Sequence, residues 1–126
     1  MNDLNCLVIE GRLCKDPQVM QSKNGKSILK LTIANNKYRF TQNGTENEVS
    51  YFDVVGFGKL AEYAKNITKG TGCRIIGKLK QDRWMQENGQ QRSTIQILAE
   101  SIEYRKQKEK VNDTANNSDV PGWEDL

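Results

Sequence analysis

Four aromatic residues in this 126-residue chain sit beside charged neighbours: Tyr38 next to Arg39, Tyr51 two positions before Asp53, Phe57 two before Lys59, and Trp84 directly after Arg83. Rings interleaved with cations on strand-like segments suit a polymer of flat bases on a phosphate chain. Each base–ring stack is worth about 1–3 kcal/mol, and each cation releases a counterion from a phosphate. A single half-buried ring has an ordinary packing explanation, whereas four in this setting predict a stacking platform. Lys37, Arg39, Lys59, Lys69, Lys80 and Arg83 are the candidate phosphate contacts. Two further rings are assigned to packing: Tyr63 falls on a helical stripe, and Phe52 alternates out of phase with Tyr51.

Other chemistry finds little support. The chain has no histidine, which removes the commonest general base. Cys6, Cys14 and Cys73 are odd in number and widely spaced, a pattern of buried thiols in a reducing compartment and not of a zinc site. Gly25-Lys26-Ser27 resembles the end of a phosphate-binding loop, but Met20 stands where the earlier glycine must be, and a hairpin rather than a helix follows. Asp53 and Glu62 are candidate paired carboxylates of a nuclease, with no metal cluster or base to accompany them. The expectation is a binding protein without catalysis, metal or cofactor.

Hydrophobic content is 36% and charged content 28%, and no apolar run approaches the length of a membrane span. No basic start is followed by an apolar stretch, so no export signal is expected and the protein reads as soluble. The net charge of +3 is unevenly divided. Residues 1–110 hold all 19 Lys and Arg and 12 of the 16 acids, while Asp113, Asp119, Glu124 and Asp125 fall in residues 111–126. A basic domain followed by an acidic tail implies an anionic partner for the former.

The elements that must position the rings follow from periodicity and turn signals. Leu4–Cys14 reads as a strand with a bend at Gly11, broken by Asp16-Pro17. Gln18–Ser22 reads as a second, joined through Asn24-Gly25, a two-residue hairpin signal, to Lys26–Asn36 with Leu29, Leu31 and Ile33 on one face. Lys37-Tyr38-Arg39-Phe40 leads to Asn43-Gly44, then to a strand Tyr51–Phe57 on which Tyr51, Asp53, Val55 and Phe57 share a face. Lys59–Thr68 changes period: Leu60, Tyr63, Ala64 and Ile67 form an amphipathic stripe, with Gly70 as the C-terminal cap. Cys73, Ile75, Gly77 and Leu79 then alternate with Arg74, Ile76, Lys78 and Lys80. After Trp84, Asn88-Gly89 turns into a last strand, Gln91–Tyr104. Five main strands with one helix after the third match an OB-fold, an all-β Greek-key barrel; an SH3-like barrel has no place for such a helix. The domain is expected over residues 1–104, and residues 105–126 read as a disordered polar linker and acidic tail.

The sequence resembles the bacterial single-stranded DNA-binding protein family over roughly residues 2–104. The resemblance lies in Asn5-Cys6-Leu7-Val8-Ile9-Glu10-Gly11-Arg12-Leu13 with Asp16-Pro17, in Tyr51 through Phe57-Gly58-Lys59-Leu60-Ala61-Glu62, and in Lys69-Gly70, Gly77-Lys78-Leu79 and Arg83-Trp84. It implies that Tyr38, Tyr51, Phe57 and Trp84 stack on bases of single-stranded DNA, two of them tyrosines where the family usually has tryptophan. It also implies a cytoplasmic, nucleoid-associated homotetramer in replication, recombination and repair, with the first strand at a subunit interface. A flexible acidic tail would recruit replication and repair proteins. The tail departs from the family's acidic, proline-containing end with terminal phenylalanine. Here Asp119, Val120 and Pro121 are followed by Gly122, then Trp123, Glu124, Asp125 and Leu126. The rival readings are a primosomal replication-restart OB protein, which lacks the full ring set and acidic tail, and an OB module that binds only protein.

Overall fold

The computed structural model describes residues 1–105; the tail residues singled out above, Asp119 through Leu126, lie outside the described residues. Six strands and one short helix follow in the order β1 (Leu7–Leu13), β2 (Gln18–Gln21), β3 (Ser27–Thr41), β4 (Gly44–Phe57), α1 (Lys59–Tyr63), β5 (Gly72–Met85) and β6 (Gln91–Tyr104). Five of the strands close a ring: β1 pairs β5, β5 pairs β6, β6 pairs β4 in parallel, β4 pairs β3, and β3 returns to β1 at Arg12↔Ala34 and Leu13↔Ile33. The short β2 flanks β3 outside the ring. This is the expected five-strand barrel, with the helix between its third and fourth ring strands.

Alternation builds the core as expected on β3, where Leu29, Leu31 and Ile33 point inward and meet Leu13, Val54, Ile75 and Ile97. Burying each such side chain stabilises the fold by about 1.5–3 kcal/mol. Closure requires β1 to leave β5 and join β3, and Gly11 sits at that corner. A Cβ there would stand 2.8 Å from the Ala34 carbonyl oxygen. Gly77 marks the corresponding place on β5, where the register with β6 shifts between Ile76 and Gly77. Its backbone passes so close to β6 that a Cβ would lie 2.1 Å from the Leu98 carbonyl oxygen. Just before β1, Asn5 extends the barrel with its side chain: its amide donates to the Leu79 carbonyl at 2.8 Å and accepts from the Leu79 N–H at 2.9 Å.

Several sequence expectations are corrected. The helix runs only over Lys59–Tyr63, followed by a 3-10 turn Ala64–Asn66, and does not reach Thr68. Its buried face centres on Ala61 and Ala64, whose small side chains let the backbone approach the barrel. Tyr63 points roughly 130° away from that centre at 3.6 residues per turn and is 70% exposed, so it is not a core residue. Gly70 does not cap the helix; its N–H donates to the Leu13 carbonyl at 2.9 Å. Phe52 lies on the inward face opposite Ile33 but is 39% exposed, because β4 there passes the rim of the barrel.

The hairpin strands are also longer than expected. β3 and β4 stay in register without a break from Ile28↔Phe57 to Thr41↔Gly44, and β5 and β6 from Gly77↔Ala99 to Met85↔Gln91. Their outer halves are exposed on both faces, so they lack the apolar–polar alternation that marks a half-buried strand. The Asn-Gly pairs at 24–25 and 88–89 turn three-residue loops, not two-residue ones. The Ser22 N–H donates to the Lys26 carbonyl and that of Gln86 to the Gln90 carbonyl, with only the glycine in the left-handed region.

Candidate nucleic-acid interface

Strand pairing lays out one continuous outer face. Lys30 on β3 is opposite Val55 on β4, Val55 is beside Leu98 on β6, and Leu98 is opposite Lys78 on β5. Residues in one cross-strand row share a face, and every second residue along each strand returns to it. On β4 that face carries Tyr51, Asp53 and Phe57; on β5 it carries Lys80 and Trp84; on β3 it carries Thr32 and, further along the hairpin, Tyr38. Trp84 stands opposite Arg92 on β6.

All four candidate rings therefore project from the same side of the sheet. Tyr38 is 55% exposed, Tyr51 66%, Phe57 44% and Trp84 46%, so each rests one side on the strand surface and shows the other to solvent. Such half-seated rings are positioned without being covered, as a stacking surface requires. Tyr38 stands apart on the hairpin, where it lines a groove of about 160 Å³ with Asn35, Asn36 and Arg105.

The cations divide differently. Of the six singled out from sequence, Lys80 lies on the ring face between Lys78 and Trp84. Lys59 opens α1 two residues beyond Phe57. Lys37 and Arg39 alternate with Tyr38 and occupy the reverse side of the hairpin, where Arg39 is held by Glu48 at 2.5 Å. Arg83 also faces the reverse side and donates to Gln81 at 2.8 Å. Lys69 lies in the segment before β5, its backbone N–H donating to Asp16 at 2.7 Å. The face recruits three cations not singled out from sequence: Lys30, Lys78 and Arg92. The signal for them was alternation itself, since Lys30 opposes Leu29 and Leu31 and Lys78 shares the phase of Lys80. Lys78 approaches Glu100 at 4.0 Å, with both side chains exposed, a pairing too solvated to hold the amine back from another anion.

The face also carries two acids, Asp53 on β4 and Asp82 between Lys80 and Trp84 on β5. Asp53 accepts a hydrogen bond from Thr32 at 3.1 Å across the β3–β4 ladder, while Glu62 sits in α1. Among the described residues no cluster of three or more His, Cys, Asp or Glu side chains could hold a metal ion. Among the described residues the strong titration shifts lie under the sheet. Burial pushes the Cys73 thiol up to about 11, and burial with the adjacent Cys73 pushes the Tyr104 hydroxyl up to about 12. Cys73 and Tyr104 are cross-strand partners. An inert thiol of this kind is a packing residue.

Comparison with known proteins bears on the same span. The single-strand binding protein family matches residues 4–105. The chain belongs to this family. A single-stranded DNA-binding protein from Aquifex aeolicus is 37% identical over 101 residues, 79% of this chain and 68% of that one. One from Treponema pallidum is 33% identical over 104 residues, 82% of this chain and 58% of its relative. A deletion mutant of the single-stranded DNA binding protein from Thermus aquaticus superposes with a TM-score of 0.71 at 25% identity, over 82% of this chain and 51% of that one. A Plasmodium falciparum SSB complex with ssDNA has a TM-score of 0.75 at 17% identity, covering 84% of this chain and 98% of the other, a likeness of fold. This chain thus spans little more than half the length of some relatives it matches. The family match begins three residues before β1 and ends one residue after β6, so it takes in the whole barrel and every residue of the ring face.

Proposed function

We propose that this protein binds single-stranded DNA without reading its sequence, and that it serves DNA replication, recombination and repair by covering exposed strands. The observation that carries this reading is the single outward face on which Tyr38, Tyr51, Phe57 and Trp84 alternate with Lys30, Lys78, Lys80 and Arg92. Bases of a single strand stack on the rings, and the phosphates run past the cations. No bond is made or broken. Any base offers a π-face, so the arrangement tolerates every sequence, while a duplex, whose bases are already stacked on one another, gains nothing from the rings.

The same reading extends to assembly and recruitment. The edge of β1 over Leu7–Gly11 pairs with β5 on one side only and exposes Val8, which supports a role for that strand in joining subunits into a homotetramer. Family membership supports the tetramer, a cytoplasmic location on the nucleoid, and recruitment of replication and repair proteins by the tail. Within that tail Trp123 is the one aromatic residue amid acids.

Titration with oligo-dT across a salt series tests the binding mode. The logarithm of affinity falls linearly with the logarithm of salt, by about 0.7 per phosphate neutralised. Lys80→Ala lowers that slope by about one such increment, while Trp84→Ala weakens binding and leaves the slope in place. Equal affinity for duplex and single strand of the same length would refute the stacking mode.

A further inference from the structure

A carboxylate at the centre of the binding face works against a phosphate track and needs another partner. Asp53 is exposed on β4, two residues from Tyr51 and on the same side of the sheet. Thr32, opposite it on β3, donates from Oγ1 to Asp53 Oδ1 at 3.1 Å. That bond holds the carboxylate in one orientation and leaves Oδ2, with the second acceptor position of Oδ1, facing solvent. Among the described residues no lysine or arginine pairs with it. The other acid of the face, Asp82, is opposite Thr94 on β6, and among the described residues no hydrogen bond fixes it.

We infer that Asp53 reads the edge of the base stacked on Tyr51 and favours guanine at that position. This rests on the single-strand reading above and deepens it. Tyr51 seats one side on the strand and shows the other, so a base lying on its open side extends over the neighbouring positions. Same-face positions on a strand are about 6.8 Å apart, which brings the edge of that base within hydrogen-bonding reach of Asp53. A carboxylate accepts and never donates, so it selects an edge rich in N–H groups. Guanine presents two adjacent donors, N1–H and N2–H, which match the two oxygens of a carboxylate. Cytosine and adenine set one amino group beside an acceptor nitrogen. The N3–H of thymine lies between two carbonyls that oppose the carboxylate. The rings still accept any base, so every sequence is bound, with guanine placed preferentially at one nucleotide.

Two single-stranded oligomers of equal length, one alternating thymidine with deoxyguanosine and one alternating it with deoxyinosine, test this on the full-length protein. Inosine keeps the stacking surface and the N1–H of guanine and lacks only the N2 amino group. The parent protein is expected to bind the guanine oligomer about 5-fold tighter, the lower end of the range for a bidentate base contact, because the site is open to water. Asp53→Ala and Asp53→Asn are expected to bring the two oligomers to equal affinity, and Thr32→Val to narrow the difference. Asp82→Ala is expected to tighten both together, by relieving repulsion of the phosphates, and to keep the difference. Equal affinities in the parent, or a difference that survives both Asp53 substitutions, overturns the inference. A difference lost in Asp82→Ala as well makes it an effect of charge and overturns it too. In each of these cases, weakening of both oligomers by Trp84→Ala leaves the single-strand reading standing, and no effect of Trp84→Ala on either removes that reading also.

Discussion

Gly77→Ala tests whether the β5–β6 crossing is as tight as the barrel requires. The added methyl would stand 2.1 Å from the Leu98 carbonyl oxygen, 3.0 Å from its carbon and 3.1 Å from Ala99 Cα, all of them backbone. No side-chain rotation relieves this. Reaching even the 3.0 Å below which real Cβ contacts essentially never fall needs a retreat of 0.9 Å by one strand. A ladder bond near 2.9 Å stretched by that much is lost. Two such bonds at about 0.5–1.5 kcal/mol each, with an overpacking cost of about 1–3 kcal/mol, give a destabilisation of about 2–6 kcal/mol. For a domain of this size that lowers Tm by on the order of 10–50 °C. Gly72→Ala is the matched control, because its Cβ meets only the Arg105 side chain at 3.3 Å, which can move; a change within about 1 kcal/mol is expected. Thermal unfolding followed by far-UV circular dichroism compares the two. A Gly77→Ala protein melting within a few degrees of the parent would show that β5 and β6 separate freely there, and would undo the account of how Lys78, Lys80 and Trp84 are aimed.

Tyr63→Ala is expected to change stability by no more than about 0.5 kcal/mol in urea unfolding, as at ordinary surface sites, whereas Ile75→Ala costs about 2–5 kcal/mol; equal losses would return Tyr63 to the core. Cys73 links stability to alkaline pH. Its thiol is raised from 9.0 to about 11 in the fold, so the unfolded chain ionises first; the contribution is whole below pH 9 and is lost as pH rises through 11, by about 2–3 kcal/mol. Denaturant midpoints at pH 8 to 11 check this, and a Cys73→Ala protein with an undiminished alkaline decline would refute it. Deleting residues 113–126 removes a net charge of −4 tethered beside a basic domain, so single-strand binding is expected to tighten, most at low salt. Trp123→Ala is expected to abolish partner capture while DNA affinity stays the same, and capture unaffected by both changes would reduce the tail to a charged spacer.

The barrel was legible because its ring strands alternate. Leu29, Leu31 and Ile33 against Lys30 and Thr32 announce a face, and the break in period at Lys59 announces a helix between strands. Periodicity could not show where the helix stops, since Tyr63 at i+3 fits the stripe as well as a core residue would. Only the close seat of Ala61 and Ala64 turns the helix so that Tyr63 faces out. The rings were legible one at a time from their charged neighbours, and the register then set all four on one side. For cations the same neighbour rule misled. Lys37, Arg39 and Arg83 adjoin rings in sequence, and adjacency on a strand means opposite faces. The face takes its cations from positions two apart and from partner strands: Lys78 and Lys80 on β5, Lys30 across β4, and Arg92 opposite Trp84. Cross-strand neighbours depend on register, which no single strand's sequence contains.

The most direct measurement is the emission of Trp84 during titration with single-stranded oligo-dT, in a Trp123→Phe protein where it is the only tryptophan. The stacked ring is expected to be quenched saturably, by an affinity that weakens with salt, and to respond far less to a duplex of the same length. Emission unchanged by the single strand at concentrations where binding is complete by another assay would mean that the strand lies elsewhere, and the ring face would not be the binding surface.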